Sequence, residues 1–186
     1  MCFPRLELVA LTVAEVEGML SGRLPEGRPF AEDGLVPEVV SQEALRRHGS
    51  GEGWFWCAPR LFWDAAAGLA VGAGCFMGSP VDAAVEIGYG VAAGWRGRGF
   101  ATLGVALLAA EAAARGEVAE LTAETSVDNP ASERALGKNG FVKVGSRLDP
   151  EDGQLHRWRL ALPGSPVAGK EVKAGWLWRG CCGRSS

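Results

Sequence analysis

Tyrosine occurs once and histidine twice in 186 residues. His48 and His156 are too isolated in sequence to suggest a metal pair, and no metal is expected. The five cysteines, Cys2, Cys57, Cys75, Cys181 and Cys182, are odd in number, scattered, and form no Cys-x-x-Cys. That argues against a disulfide framework or a zinc site. Reduced thiols in a cytoplasmic protein are the simpler reading. Net charge is small, at −3, so the chain lacks the basic field that nucleic acid needs in a partner. The longest uncharged stretch, residues 65–81, carries four glycines and a Ser-Pro. It falls short of the roughly 20 residues of a membrane helix. The first residues have neither a basic start nor an apolar run, so neither a signal peptide nor a membrane partner is expected.

What is present suits one domain with a full hydrophobic core: an apolar content of 47% and glycine in abundance. Residues 1–162 read as that domain. From 163 the composition shifts to Gly, Ser, Pro and Lys, followed by Trp176, Trp178 and the Cys181–Cys182 pair. The segment 163–186 reads as a flexible tail. The alternative is that its tryptophans dock on the domain or on a second subunit, which leaves monomer and homodimer both open.

Alternating apolar residues predict strands at 6–10, 69–76, 85–91, 121–127, 141–147 and 156–162. The aromatic-rich pieces 54–57 and 60–64 also read as strand, with Pro59 at a bend. Helices are expected from the Thr12–Glu15 capping box to about 21, over 37–47, over 100–115, and from Pro130 to about 139. The residues after the 85–91 strand are Arg96-Gly97-Arg98-Gly99-Phe100-Ala101, which lead into the apolar helix at 100. A glycine turn between a strand end and a helix start is an anion cradle, because the first helical N–H groups have no internal partner and the dipole adds positive charge. Arg96 and Arg98 supply further charge. No Gly-Lys-Ser/Thr follows, which excludes a P-loop, and Thr102 stands where a dinucleotide fingerprint needs glycine. An ordinary glycine-rich turn with solvated arginines has the same composition.

A second motif stands one strand later: Asn129-Pro130-Ala131-Ser132, ending in Gly140-Phe141. Together with Arg96-x-x-Gly99-x-Ala101 and Glu86-Ile87-Gly88-Tyr89, it resembles the GNAT acetyltransferase superfamily, especially its branch of bacterial ribosomal-protein N-terminal acetyltransferases. The resemblance implies an α/β (α+β) three-layer αβα fold, with a mixed sheet of six to seven strands and helices on both faces. It implies acetyl-CoA as co-substrate and an amine acceptor, either a peptide N-terminus or a small amine. Pantetheine would lie against Val91, Ala92 and Ala93. The pyrophosphate would sit at Arg96, Gly97, Arg98, Gly99, Phe100, Ala101 and Thr102, with Asn129 on the opposite wall.

Amine acetylation needs a base, because a protonated amine has no lone pair. Glu86, on the strand before the loop, is the candidate, acting through water; structural pairing with an arginine is the alternative. Ser132 is the candidate for protonating the leaving sulfur, against a plain helix-capping role. Many family members place a tyrosine four residues after this serine. Here that position is Leu136, which also leaves open a non-catalytic acyl-CoA sensor. Arg134 and Lys138 read as a solvated face, and Trp54, Trp56 and Trp63 read as core. The acceptor site is expected from the 22–34 loop, the second helix and the 149–154 loop, since loops carry specificity.

Overall fold

The computed structural model describes residues 5–163, so Cys2 and the tail with its tryptophan and cysteine pairs lie outside the described residues. The elements run β1 (Leu6–Ala10), α1 (Val13–Leu20), α2 (Glu38–Gly49), α3 (Trp54–Cys57), β2 (Arg60–Asp64), β3 (Leu69–Phe76) and β4 (Ala84–Val91). After a 3-10 turn at Ala93–Trp95 come α4 (Phe100–Arg115), β5 (Glu120–Ser126), α5 (Pro130–Lys138), β6 (Val142–Asp149) and β7 (Gly153–Ala161). One seven-stranded sheet results, in the order β1-β2-β3-β4-β5-β7-β6. Every neighbouring pair is antiparallel except β4–β5, which the α4 crossover makes parallel.

Two apolar clusters sandwich the sheet. One joins Phe62, Val71, Val85 and Ile87 to Phe100, Val105 and Leu108 of α4 and Leu136 of α5. The other packs Val16, Leu35 and Val36 against Leu61, Ala70 and Ala73. These are the two helical layers of the expected fold. Local signals hold as well. Thr12 and Glu15 form a capping box on α1, and Asn129 caps α5 with Pro130 in its first turn.

The strand expected at 54–57 is instead the helix α3. Its cause lies outside the four residues. Arg60 is fully buried, and its guanidinium donates to the carbonyls of Phe55 and Ala58, both at 2.7 Å. The same group lies against the rings of both Phe55 and Phe76 and pairs with Glu111 at 2.6 Å. Trp54 adds a hydrogen bond from its indole N–H to the Leu11 carbonyl at 2.9 Å. A buried cation needs acceptors, and a tight helical turn delivers two carbonyls to one guanidinium. Aromatic content alone does not reveal that.

Helix α4 can lie close to the sheet because Gly104 has no side chain. A Cβ there would collide with three ring carbons of Phe62, which is itself fully buried. Alanine normally gains about 1 kcal/mol over glycine in a helix, but overpacking a core costs about 1–3 kcal/mol. Because the clash falls on an immobile ring, Gly104→Ala is expected to lower stability by about 1–2 kcal/mol, read as a reduced denaturation midpoint with unchanged m-value.

Candidate active site

Strand β4 uses its two neighbours unequally. It pairs with β3 from Ile87 to Val91, while the Met77 N–H donates to Glu86 O and the Ala92 N–H donates to Val71 O. Antiparallel ladders alternate the residues that bond across them, so Glu86, Gly88, Gly90 and Ala92 turn their backbone toward β3. Ile87, Tyr89, Val91 and Ala93 turn theirs toward β5. Yet β5 pairs with β4 only at Ala84, Val85 and Glu86. Past Glu86 the strands part, leaving a gap edged by unpaired-strand geometry.

The chain's own side chains occupy two groups on that edge. The Glu32 carboxylate accepts from the Ala93 N–H at 2.7 Å, and Arg96 Nε donates to Val91 O at 3.1 Å. The expected trio Val91, Ala92 and Ala93 is therefore divided. Val91 and Ala93 face the gap, whereas Ala92 is buried and turned toward β3.

At the mouth of the gap lies the glycine loop. Gly97 and Gly99 have φ of 75° and 89°, which L side chains adopt only with strain. Gly99 is the N-cap of α4 and no side chain caps that helix. The first-turn amides, those of Phe100, Ala101 and Thr102, open onto the loop. A Cβ at either glycine would meet nothing within 4 Å, so positive φ rather than crowding is what calls for glycine here. The side chain of Phe100 is a core anchor. Arg98 stays beside the loop with its guanidinium 5.0 Å from the Trp95 ring centre, while Arg96 has crossed back to β4.

Helix α5 forms the facing wall. Asn129 Oδ1 accepts from the Ser132 N–H at 3.1 Å, and the Tyr89 hydroxyl donates across the gap to the Ser132 carbonyl at 3.1 Å. Leu136 is fully buried in the core. Asn139 ties the two walls together, donating to Thr102 O at 3.0 Å and Ala135 O at 2.8 Å.

Glu86 stands where β4 and β5 separate, opposite Thr122 in register. Among the described residues it has neither a hydrogen bond nor an ion pair. Burial, reinforced by the charge of Glu124, pushes its carboxyl up to about 7, against the pull of Arg147 and Arg157. Glu124 is held by Arg147 in two-pronged contact, with distances of 2.6 and 2.8 Å, and by Arg157 at 3.9 Å. Arg147 also binds Asp149 at 2.7 Å. Asp149 is pulled down to about 2 by the Glu151 amide, by Arg147 and by the Asp152 amide. Glu86 and the β6–β7 turn thus share one charge network. Sequence reasoning assigned no role to Glu124, Glu32, Arg147 or Arg157. The even-numbered polar residues of β5 were the available signal, but only strand register puts Glu124 beside Glu86.

Glu32, Val36, Pro37, Val40, Tyr89 and Arg96 help line a cavity of about 180 Å³. Among the described residues no group of three His, Cys, Asp or Glu side chains could hold a metal ion, and no helix is long and apolar enough to cross a membrane.

Residues 5–142 match the model of the acetyltransferase (GNAT) domain. The chain belongs to the GNAT acetyltransferase family. It is an acetyl-CoA-dependent N-acetyltransferase, and acetyl-CoA is its co-substrate. No curated protein matches the acetyltransferase sequence. Solved structures share its fold. The ribosomal-protein-S5-alanine acetyltransferase of Vibrio fischeri aligns with TM-score 0.62 at 12% identity, over 88% of this chain and 96% of that one. A spermidine N-acetyltransferase chimera from Vibrio cholerae and hSSAT gives 0.60 at 15%, over 84% and 95%. An aminoglycoside acetyltransferase in complex with coenzyme A gives 0.57 at 18%, over 84% and 95%.

The elevated Glu86 carboxyl has a consequence for stability. The folded acetyltransferase binds this proton more tightly than the unfolded chain, so its contribution is present below about pH 4.5 and is lost as pH rises through about 7. Glu86→Gln removes the ionising group. It is expected to stabilise the protein at about pH 8 by roughly 1–3 kcal/mol, with no gain at about pH 4. Denaturant titrations at the two pH values measure the difference.

Proposed function

We propose that the acceptor is an α-amine, the N-terminus of a peptide or a single small amine, which attacks the thioester directly while Glu86 receives its proton through water. The observation that carries this reading is Glu86 itself, an unpaired carboxyl lifted to about 7 at the fork of β4 and β5. A base near 7 suits an α-amine, whose pKa is about 8, better than a lysine amine at about 10.4. The cavity of about 180 Å³ accepts one residue or a small amine and is below the range of about 300–1,000 Å³ usual for larger ligands. Proteins of this fold are named for acceptors that include a ribosomal-protein alanine, spermidine and an aminoglycoside, so the fold alone does not choose. A cytoplasmic site of action agrees with the reduced thiols Cys57 and Cys75.

In this reading pantetheine adds to the open β4 edge as a short strand would. It takes the Val91 carbonyl and the Ala93 N–H, displacing Arg96 and Glu32. The displaced Arg96 then has the reach to join Arg98 at the pyrophosphate, which rests on the amides from Gly97 to Thr102. Asn129 shapes the far wall by holding the first turn of α5. Ser132 offers its hydroxyl there. Glu32, Val36 and Val40 border the acceptor.

The deciding experiment follows thiol release from acetyl-CoA with a panel of peptides, amino acids and polyamines. Short peptides or small α-amines are expected to turn over, with kcat/KM rising through an acid limb near pH 7. Glu86→Gln should lower kcat on the order of 100-fold and remove that limb. CoA binding without thiol release from any amine would favour a sensor instead. Glu32→Ala frees the Ala93 amide from its internal partner, a hydrogen bond worth about 1 kcal/mol net. CoA should bind this variant about fivefold more tightly by calorimetry.

A further inference from the structure

We propose that Tyr89 is the group that protonates the departing thiolate, a role that rests on the transferase reading above. Tyr89 is the only tyrosine in the chain. It stands on the stretch of β4 that has lost β5 as a neighbour, among the residues whose backbone faces the gap. Its ring is half-buried against the α4–α5 core, and its hydroxyl spans the gap to donate to the Ser132 carbonyl at 3.1 Å. That places the phenol against the first turn of α5, at the wall of the channel assigned to pantetheine that carries Ser132. The position four residues after Ser132 cannot serve, because Leu136 has no acidic proton and is fully buried in the core.

Acidity decides between the two hydroxyls. The leaving thiol has a pKa of about 8.5 and a phenol about 10, so the transfer is uphill by only about 1.5 units. An aliphatic hydroxyl is about as weak an acid as water and far weaker than a phenol, so Ser132 can hydrogen-bond the sulfur but hardly give it a proton. The step balances as follows. The amine nitrogen forms the C–N bond, and its proton passes through water to Glu86. The C–S bond breaks, and its electron pair takes the phenolic proton from Tyr89. The tyrosinate is reprotonated through solvent, to which Glu86 returns the proton it received.

Two measurements on the full chain test this. Tyr89→Phe, which keeps the ring in the core, should lower kcat on the order of 100-fold. KM for acetyl-CoA, CoA affinity and melting temperature should stay within twofold or unchanged, and Ser132→Ala should cost much less. Because no other tyrosine contributes, the ultraviolet phenolate band of the wild type reports Tyr89 directly. CoA should shift that titration upward, because a thiolate beside the phenol opposes its ionisation, and desulfo-CoA should leave it unmoved. Unchanged kcat in Tyr89→Phe, or the same titration with CoA and desulfo-CoA, overturns the assignment while leaving Glu86 and the transferase reading intact. A wild type that binds CoA but releases no thiol with any amine overturns the transferase reading, and this assignment with it.

Discussion

The site depends on the early release of one strand pairing. Strand β5 is held by β7 along seven residues and β4 is held by β3, but β4 and β5 hold each other only at Ala84, Val85 and Glu86. Each half of the sheet keeps its own twist, and the halves diverge where the short parallel ladder ends. Divergence has a direct chemical result. Backbone donors and acceptors that a longer ladder would consume are left at Val91 and Ala93. That edge would be a liability if exposed, and Glu32 and Arg96 cover it. The side chains that protect the empty edge are thus the ones a strand-like ligand must displace.

The same fork sets the electrostatics. Glu86 sits at the last paired position, so its carboxyl is neither in the core nor in bulk water. Glu124 on the neighbouring strand adds negative charge, but Arg147 takes most of that carboxylate's hydrogen-bonding capacity. One of two nearby carboxylates is taken up in ion pairs with Arg147 and Arg157, and the other is lifted to about 7. Environment has divided the pair into a structural anion and a candidate base.

Much of the fold was legible because its signals are local. The Thr12–Glu15 capping box, the Asn129-Pro130 helix start and the alternation of β5 are each written within a few residues, and each appears in the structure. The 54–57 segment was misread because its conformation answers to Arg60 and Glu111, the latter far along the chain. The site divides in the same way. The loop glycines announce themselves through spacing. Glu32, Arg147, Arg157 and the reach of Tyr89 to Ser132 depend on contacts between distant elements, and no periodicity encodes them.

By itself the sequence determined the family, the glycine loop and the order of strands and helices apart from α3. Those follow from turn chemistry, capping and hydrophobic period, which act between near neighbours. Only the tertiary structure decided where β4 and β5 part, which backbone groups face the gap, and which carboxyl is lifted to about 7. Those outcomes depend on strand register and burial, and register is set by the packing of the whole sheet rather than by the residues of any one strand.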